Sequence, residues 1–83
     1  MDELKFNAED INLLESIKSL DKSNTQSIKV LLIEKENQKF LSIQKWWRKS
    51  KEEPWNEGKG FHLDESETNE LKDAIIDACR KIK

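Results

Sequence analysis

Residues 27–35 (Ser-Ile-Lys-Val-Leu-Leu-Ile-Glu-Lys) and 39–48 (Lys-Phe-Leu-Ser-Ile-Gln-Lys-Trp-Trp-Arg) are separated only by Glu36-Asn37-Gln38. Branched and aromatic side chains suit a pleated, half-buried surface better than a helix, and so short a polar break leaves room for a tight turn and nothing else. The two runs are therefore expected to form an antiparallel hairpin, and this pairing limits the chain to folds built around a sheet.

Size adds a second constraint. The chain has 83 residues, 35% of them hydrophobic and 39% charged, enough for one domain with a small core. A monomer of this size buries little surface, and self-association is a simple remedy. The lone Cys79 has no partner for an internal disulfide and no companions for a zinc cluster, which fits a reducing compartment. No apolar run approaches the roughly 20 residues of a membrane helix, and the start of the chain lacks the basic-then-apolar order of a signal peptide. A cytoplasmic or nucleoid-associated protein, or one in the host cytoplasm if phage-encoded, is expected.

On either side of the hairpin the periodicity changes. Residues 8–20 carry Ala8, Ile11, Leu13, Leu14, Ile17 and Leu20 at spacings of three and four, with Asn7 as a candidate N-cap and Asp10 in the first turn. An N-terminal helix is expected there, within an extension spanning residues 1–26. An edge strand through residues 4–6 or 16–20 is the alternative. Residues 49–60 hold Pro54, Asn56, Gly58 and Gly60 among charges and read as a mobile loop, followed by a short strand over residues 60–63. Asp64 and Glu67 have capping-box spacing, and Leu71, Ile75, Ala78 and Ile82 form one apolar stripe on the terminal helix that follows. The expected fold class is α+β: a curved antiparallel sheet backed by a C-terminal helix, with an added N-terminal helix.

Little in the sequence suggests catalysis. His62 is the chain's single histidine, Cys79 lies in or beside the helical stripe, and Gly58 and Gly60 do not make a phosphate-cradling loop. The reading is non-enzymatic, with no metal and no cofactor.

Charge is unevenly spread. The net charge is −2, but residues 38–60 carry Lys39, Lys45, Arg48, Lys49, Lys51 and Lys59 against Glu52, Glu53 and Glu57. Local potential matters more to a polyanion than the total. The same stretch holds every tryptophan of the chain, Trp46, Trp47 and Trp55. Cations that hold phosphates, interleaved with flat rings on which unpaired bases stack, are what single-stranded nucleic acid requires, and each stacked base is worth about 1–3 kcal/mol. Adjacent strand residues point to opposite faces, so one of Trp46 and Trp47 is expected in the core and the other on the surface. Trp55, in the expected loop, is a mobile lid or a second stacking ring. The competing reading is that all three rings enlarge a small core or a dimer interface.

From about residue 27 to the end, the chain resembles the transcriptional positive cofactor four domain, a single-stranded DNA-binding family with bacterial and phage members. That family runs from an apolar strand through a hairpin to a strand ending Ile-Arg-Glu-Tyr-Trp. A charged loop with Pro, a Lys-Gly-Ile-Ser-Leu strand and a terminal helix follow. Here residues 41–47 read Leu-Ser-Ile-Gln-Lys-Trp-Trp, residues 59–63 read Lys-Gly-Phe-His-Leu, and the helix begins directly after Leu63. The resemblance implies a homodimer whose terminal helices pair through Leu71, Ile75, Ala78 and Ile82, each covering one face of its sheet. The opposite, concave faces would then form adjoining channels for single strands, bound largely without sequence specificity.

Carried over by position, the resemblance makes Trp47 the stacking aromatic and Lys59 a phosphate contact. Gln44 stands where the family usually has Arg, and Lys35 aligns near an aromatic. Gly58 replaces a basic residue and Thr68 a tryptophan. Together with the basic positions of the middle third, the candidate nucleic-acid residues are Lys35, Lys39, Gln44, Lys45, Trp47, Arg48, Trp55 and Lys59. The expected partner is single-stranded DNA, with RNA and melted duplex as further candidates and the transcription machinery as a protein contact. No membrane association is expected. The alternative function is a protein–protein adaptor that uses the same fold to bind a polymerase or host regulator.

Overall fold

The computed structural model describes residues 3–82. Its elements are β1 (Leu4–Lys5), β2 (Ile11–Asp21), β3 (Gln26–Lys35), β4 (Gln38–Trp47), β5 (Trp55–Leu63) and α1 (Glu65–Lys81). The strands form one curled sheet in the order β1-β5-β4-β3-β2, antiparallel except where β1 runs parallel to β5.

The central hairpin forms as its sequence demands. Lys35 pairs with Gln38, which leaves a two-residue loop in which Glu36 (φ 54°) and Asn37 (φ 62°) both take left-handed backbone. Two such residues in succession give the turn whose twist matches that of the flanking strands, and asparagine tolerates this backbone better than most residues. The turn fixes the register: Trp47 pairs with Gln26, Trp46 with Ser27 and Leu31 with Ser42.

The N-terminal helix expected over residues 8–20 is corrected: that segment is β2, paired along its length with β3. Its three-and-four apolar spacing describes no buried helical stripe, since Leu13, Leu14, Ile17 and Leu20 are 43–50% exposed. The open edge of β3 supplies a ladder of backbone partners along the whole segment, and tertiary pairing overrides local propensity. Two irregularities in the ladder, between Leu13 and Glu15 and between Ser16 and Lys18, disturb the strict alternation a strand would otherwise show. Polar side chains reinforce the pairing. The Ser27 hydroxyl donates to Asp21 Oδ1 (2.7 Å), and Lys29 Nζ donates to Ser19 Oγ (3.1 Å). Within the expected extension, residues 4–5 and 11–21 thus form strands of the same sheet rather than a helix.

Alternation along β3 and β4 gives the sheet two unlike faces. The inner face carries Ser27, Lys29, Leu31 and Ile33 on β3 and Ser42, Gln44 and Trp46 on β4, each at most 6% exposed. Leu31, Ile33, Trp46 and Trp55 are the core, and Leu4, Phe6, Ile11 and Phe40 pack against it. The Phe6 ring meets Trp46 edge-on at 5.2 Å.

The route of the N-terminus explains how this face is closed. The Trp55 N–H donates to Glu3 O (2.8 Å) and Leu4 pairs with Trp55 at one edge of the sheet, while Ile11 pairs with Lys35 at the other. Six residue steps with bends and turns over residues 7–10 join edges that a flat five-stranded sheet would hold roughly 19 Å apart. Curling brings them together, and residues 6–10 cross the inner face as a strap. The concave face implied as an open channel is instead filled.

The expected loop over residues 49–60 is also shorter than its composition suggested, because β5 already begins at Trp55. Gly58 and Gly60 are strand residues that let β5 approach β4 closely beside the irregularity between Gln44 and Trp46. A Cβ at Gly58 would lie 2.7 Å from the Lys45 carbonyl oxygen, and one at Gly60 would collide with the Ile43 carbonyl and the Gln44 side chain.

Helix α1 starts where the capping box placed it. Asp64 Oδ1 accepts the Glu67 N–H (2.9 Å), and Glu67 Oε1 accepts the Asp64 N–H (3.1 Å). None of its residues is buried. Its first turns stand beside the outer face, where Leu71 and Ile75 flank an open apolar cleft of about 560 Å³ with Ile43, Phe61 and Leu63. The helix therefore lines part of the outer face rather than sealing the side opposite the exposed tryptophan.

Candidate nucleic-acid interface

The outer face of β3, β4 and β5 has two halves. Toward the helix it is apolar, with Ile43, Phe61 and Leu63. Toward the other end it carries Lys45 and Trp47. Trp47 is 47% exposed, whereas its chain neighbour Trp46 is 1% exposed on the inner face. The alternation expected of a strand holds here, and Trp46 is the buried ring.

An open cleft of about 370 Å³ lies beside Trp47, bordered by Lys22, Ile28, Lys45, Gly58 and Lys59. Each cation arrives by a different route. Lys45 is two residues from Trp47 on the same face of β4. Lys59 follows Gly58 on β5, where a side chain in place of the glycine would be blocked by the β4 backbone. Lys22 sits in the turn after β2, held there because the N–H groups of Lys22 and Ser23 both donate to Gln26 O (2.8 and 3.1 Å). Cross-strand pairing places Gln26 of β3 on one side of Trp47 and Asn56 of β5 on the other, with Lys5 of β1 beyond Asn56.

Of the eight candidate residues, Lys45, Trp47 and Lys59 come together. The other five do not. Trp55, expected as a mobile ring, is 1% exposed in the core, where burial of an indole outweighs the turn-forming company of Pro54 and Asn56. Arg48 turns to the inner side. Its guanidinium carbon lies 4.0 Å from the centre of the Trp55 ring, and its Nε donates to Asn24 O (2.7 Å). Lys29 covers the same ring at 4.7 Å, so cation–π contacts tie both cations to the core indole.

Gln44 is 6% exposed and serves a polar network. Its Oε1 accepts from Ser42 Oγ (2.6 Å) and lies 3.1 Å from His62 Nε2. Its Nε2 donates to Glu57 Oε2 (2.6 Å) and to the Gly58 carbonyl (3.2 Å). Glu57 Oε1 in turn accepts the Asn7 N–H (2.8 Å), which fastens the strap. Gln44 and His62 thus satisfy each other inside the fold. Lys35 and Lys39 flank the β3–β4 turn, at the opposite end of the hairpin; eight residues of strand put Lys39 roughly 27 Å from Trp47.

The helical stripe is exposed over most of its length. Leu71 is half-buried, Ala78 is exposed, and Ile75 and Ile82 are 50% and 80% exposed, joined by Ile76 at 48%. Among the described residues no three His, Cys, Asp or Glu side chains gather as a metal site, and no helix is long and apolar enough to cross a membrane.

Lys22 and Gln26 were missed in the sequence, where residues 21–25 read as a polar connector. The signal that finds Gln26 is the turn itself: with Lys35 opposite Gln38, counting back along both strands places Gln26 opposite Trp47. No protein-family model, curated protein or solved structure matches the chain.

Proposed function

We propose that this chain is a non-enzymatic single-stranded DNA-binding protein, a transcriptional cofactor or regulator by class, that binds largely without sequence specificity. The observation that carries the reading is the half-exposed Trp47 indole beside a cleft bordered by Lys22, Lys45 and Lys59. The lysines hold successive phosphates and release counterions, while an unpaired base stacks on the indole. The order of strand, hairpin, strand, loop, strand and helix, together with the sequence resemblance to the transcriptional positive cofactor four domain, supports the same class. The binding surface differs from the one that resemblance implied: it is the outer face, since the strap occupies the inner one.

In this reading two copies associate through α1, whose Ile75, Ile76, Ala78 and Ile82 are exposed. Titrating a labelled single-stranded oligonucleotide at two salt concentrations tests the binding. Affinity should fall with salt at a log–log slope of about −0.7 per phosphate contacted. Absence of binding at low salt removes the reading.

A protein–protein adaptor is the second reading. It is favoured by the four exposed apolar side chains of the edge strand β2, Leu13, Leu14, Ile17 and Leu20. An adaptor leaves tryptophan emission unchanged when oligonucleotide is added.

A further inference from the structure

The row of side chains across the strands at Trp47 carries information that lysines and an indole alone do not. Gln26, Trp47 and Asn56 are direct cross-strand partners on three adjacent strands, and Gln26 is exposed while Asn56 is half-buried. Cβ atoms of such neighbours stand roughly 4.5–5.5 Å apart. A base centred on the indole and about one strand spacing of ~4.8 Å wide ends roughly halfway to each neighbouring strand, so its edges face the two carboxamides. Neither side-chain amide is hydrogen-bonded within the described residues, so both are available to a ligand.

We propose that Gln26 and Asn56 read the edge of the base stacked on Trp47 and make this one position selective for adenine. The inference rests on the nucleic-acid reading above and adds a recognition step to it. A carboxamide presents an acceptor beside a donor. The adenine N7 and N6 positions match that pattern, which is why Asn and Gln pair with adenine in two-point contacts. Adenine repeats the pattern at N1 and N6 on its Watson–Crick edge, which is open when the base is unpaired. On the Hoogsteen edge guanine presents two acceptors, N7 and O6, and each pyrimidine a single polar group, so only adenine satisfies two carboxamides that flank its Hoogsteen and Watson–Crick edges. The rest of the strand is held through phosphates and stays unselected, so one read position coexists with binding that is otherwise indifferent to sequence.

The test uses the full chain and a set of oligonucleotides with an abasic backbone that carry a single base each: adenine, guanine, cytosine or thymine. Competition against one labelled strand at low salt gives the relative affinities. The adenine oligonucleotide should bind at least about fivefold more tightly than the other three. Gln26→Ala should abolish that margin, so that the adenine oligonucleotide binds no more tightly than the other three; Asn56→Ala should reduce it. Gln26 is exposed, so its variant carries the test even if Asn56→Ala fails to fold. Equal affinity for all four bases overturns the inference and leaves the binding function standing. An adenine preference that survives Gln26→Ala also overturns it. If none of the four binds, the binding function and the inference fall together.

Discussion

Trp46 and Trp47 are consecutive in the chain and lie on opposite faces of β4, one closing the core against Phe6 and the other half-open to solvent beside the lysine cleft. Strand alternation alone divides the two indoles between core and surface. Replacing each should therefore affect a different measurement. Trp47→Ala should lose the stacked base, about 1–3 kcal/mol of binding, with the urea midpoint nearly unchanged. Trp46→Ala should cost about 3–5 kcal/mol of stability, enough to unfold much of a domain this small.

The three lysines around the cleft should act additively and through salt. Lys22→Ala, Lys45→Ala and Lys59→Ala should each reduce the salt slope of binding by about 0.7. Lys39→Ala, at the far end of the hairpin, should leave the slope unchanged. Titrations across a salt series separate these cases.

Gln44 should prove structural. Its removal strands the Ser42 hydroxyl and takes a donor from Glu57, so Gln44→Ala should cost about 1–3 kcal/mol in urea unfolding. Affinity of the folded fraction for oligonucleotide should not change.

The strap makes a prediction of its own. Phe6→Ala opens a gap against Trp46, and because Phe6 is half-buried the loss should fall near the low end of the core range, about 2–3 kcal/mol. A chain that began with a free helix would tolerate the change, so unfolding of this variant separates the two arrangements.

The exposed stripe of α1 predicts self-association. Leu71→Asp and Ile75→Asp should convert a dimer to a monomer in sedimentation while retaining the sheet's circular dichroism. A wild-type chain that sediments as a monomer at high concentration would remove the pairing of helices.

What could be read in the sequence was whatever local chemistry determines. The Glu36-Asn37 turn, the two strands it joins, the Asp64–Glu67 cap and the division of Trp46 from Trp47 all follow from neighbours in the chain. The misread features depend on distant partners. Residues 11–21 carry helix-like spacing and become a strand because β3 has an edge to fill. Trp55 sits among turn-formers and is buried because Lys29 of β3 and Arg48 cover its ring and β1 pairs beside it. Arg48 and Gln44 look like surface contacts in a basic segment, yet Arg48 lies over the Trp55 ring and Gln44 is tied to Ser42 and Glu57 on the inner side. At the candidate site, Trp47, Lys45 and Lys59 were accessible to sequence reasoning. Lys22 comes from a separate element and required the three-dimensional fold.

Tryptophan emission reports directly on a base stacked on Trp47, because the other two indoles are 1% exposed. Adding a short single-stranded oligonucleotide at low salt should quench the solvent-exposed component of the emission saturably, and Trp47→Ala should abolish that quenching. Emission that stays constant through a titration in which the oligonucleotide demonstrably binds, or quenching that persists in Trp47→Ala, would show that no base stacks on Trp47.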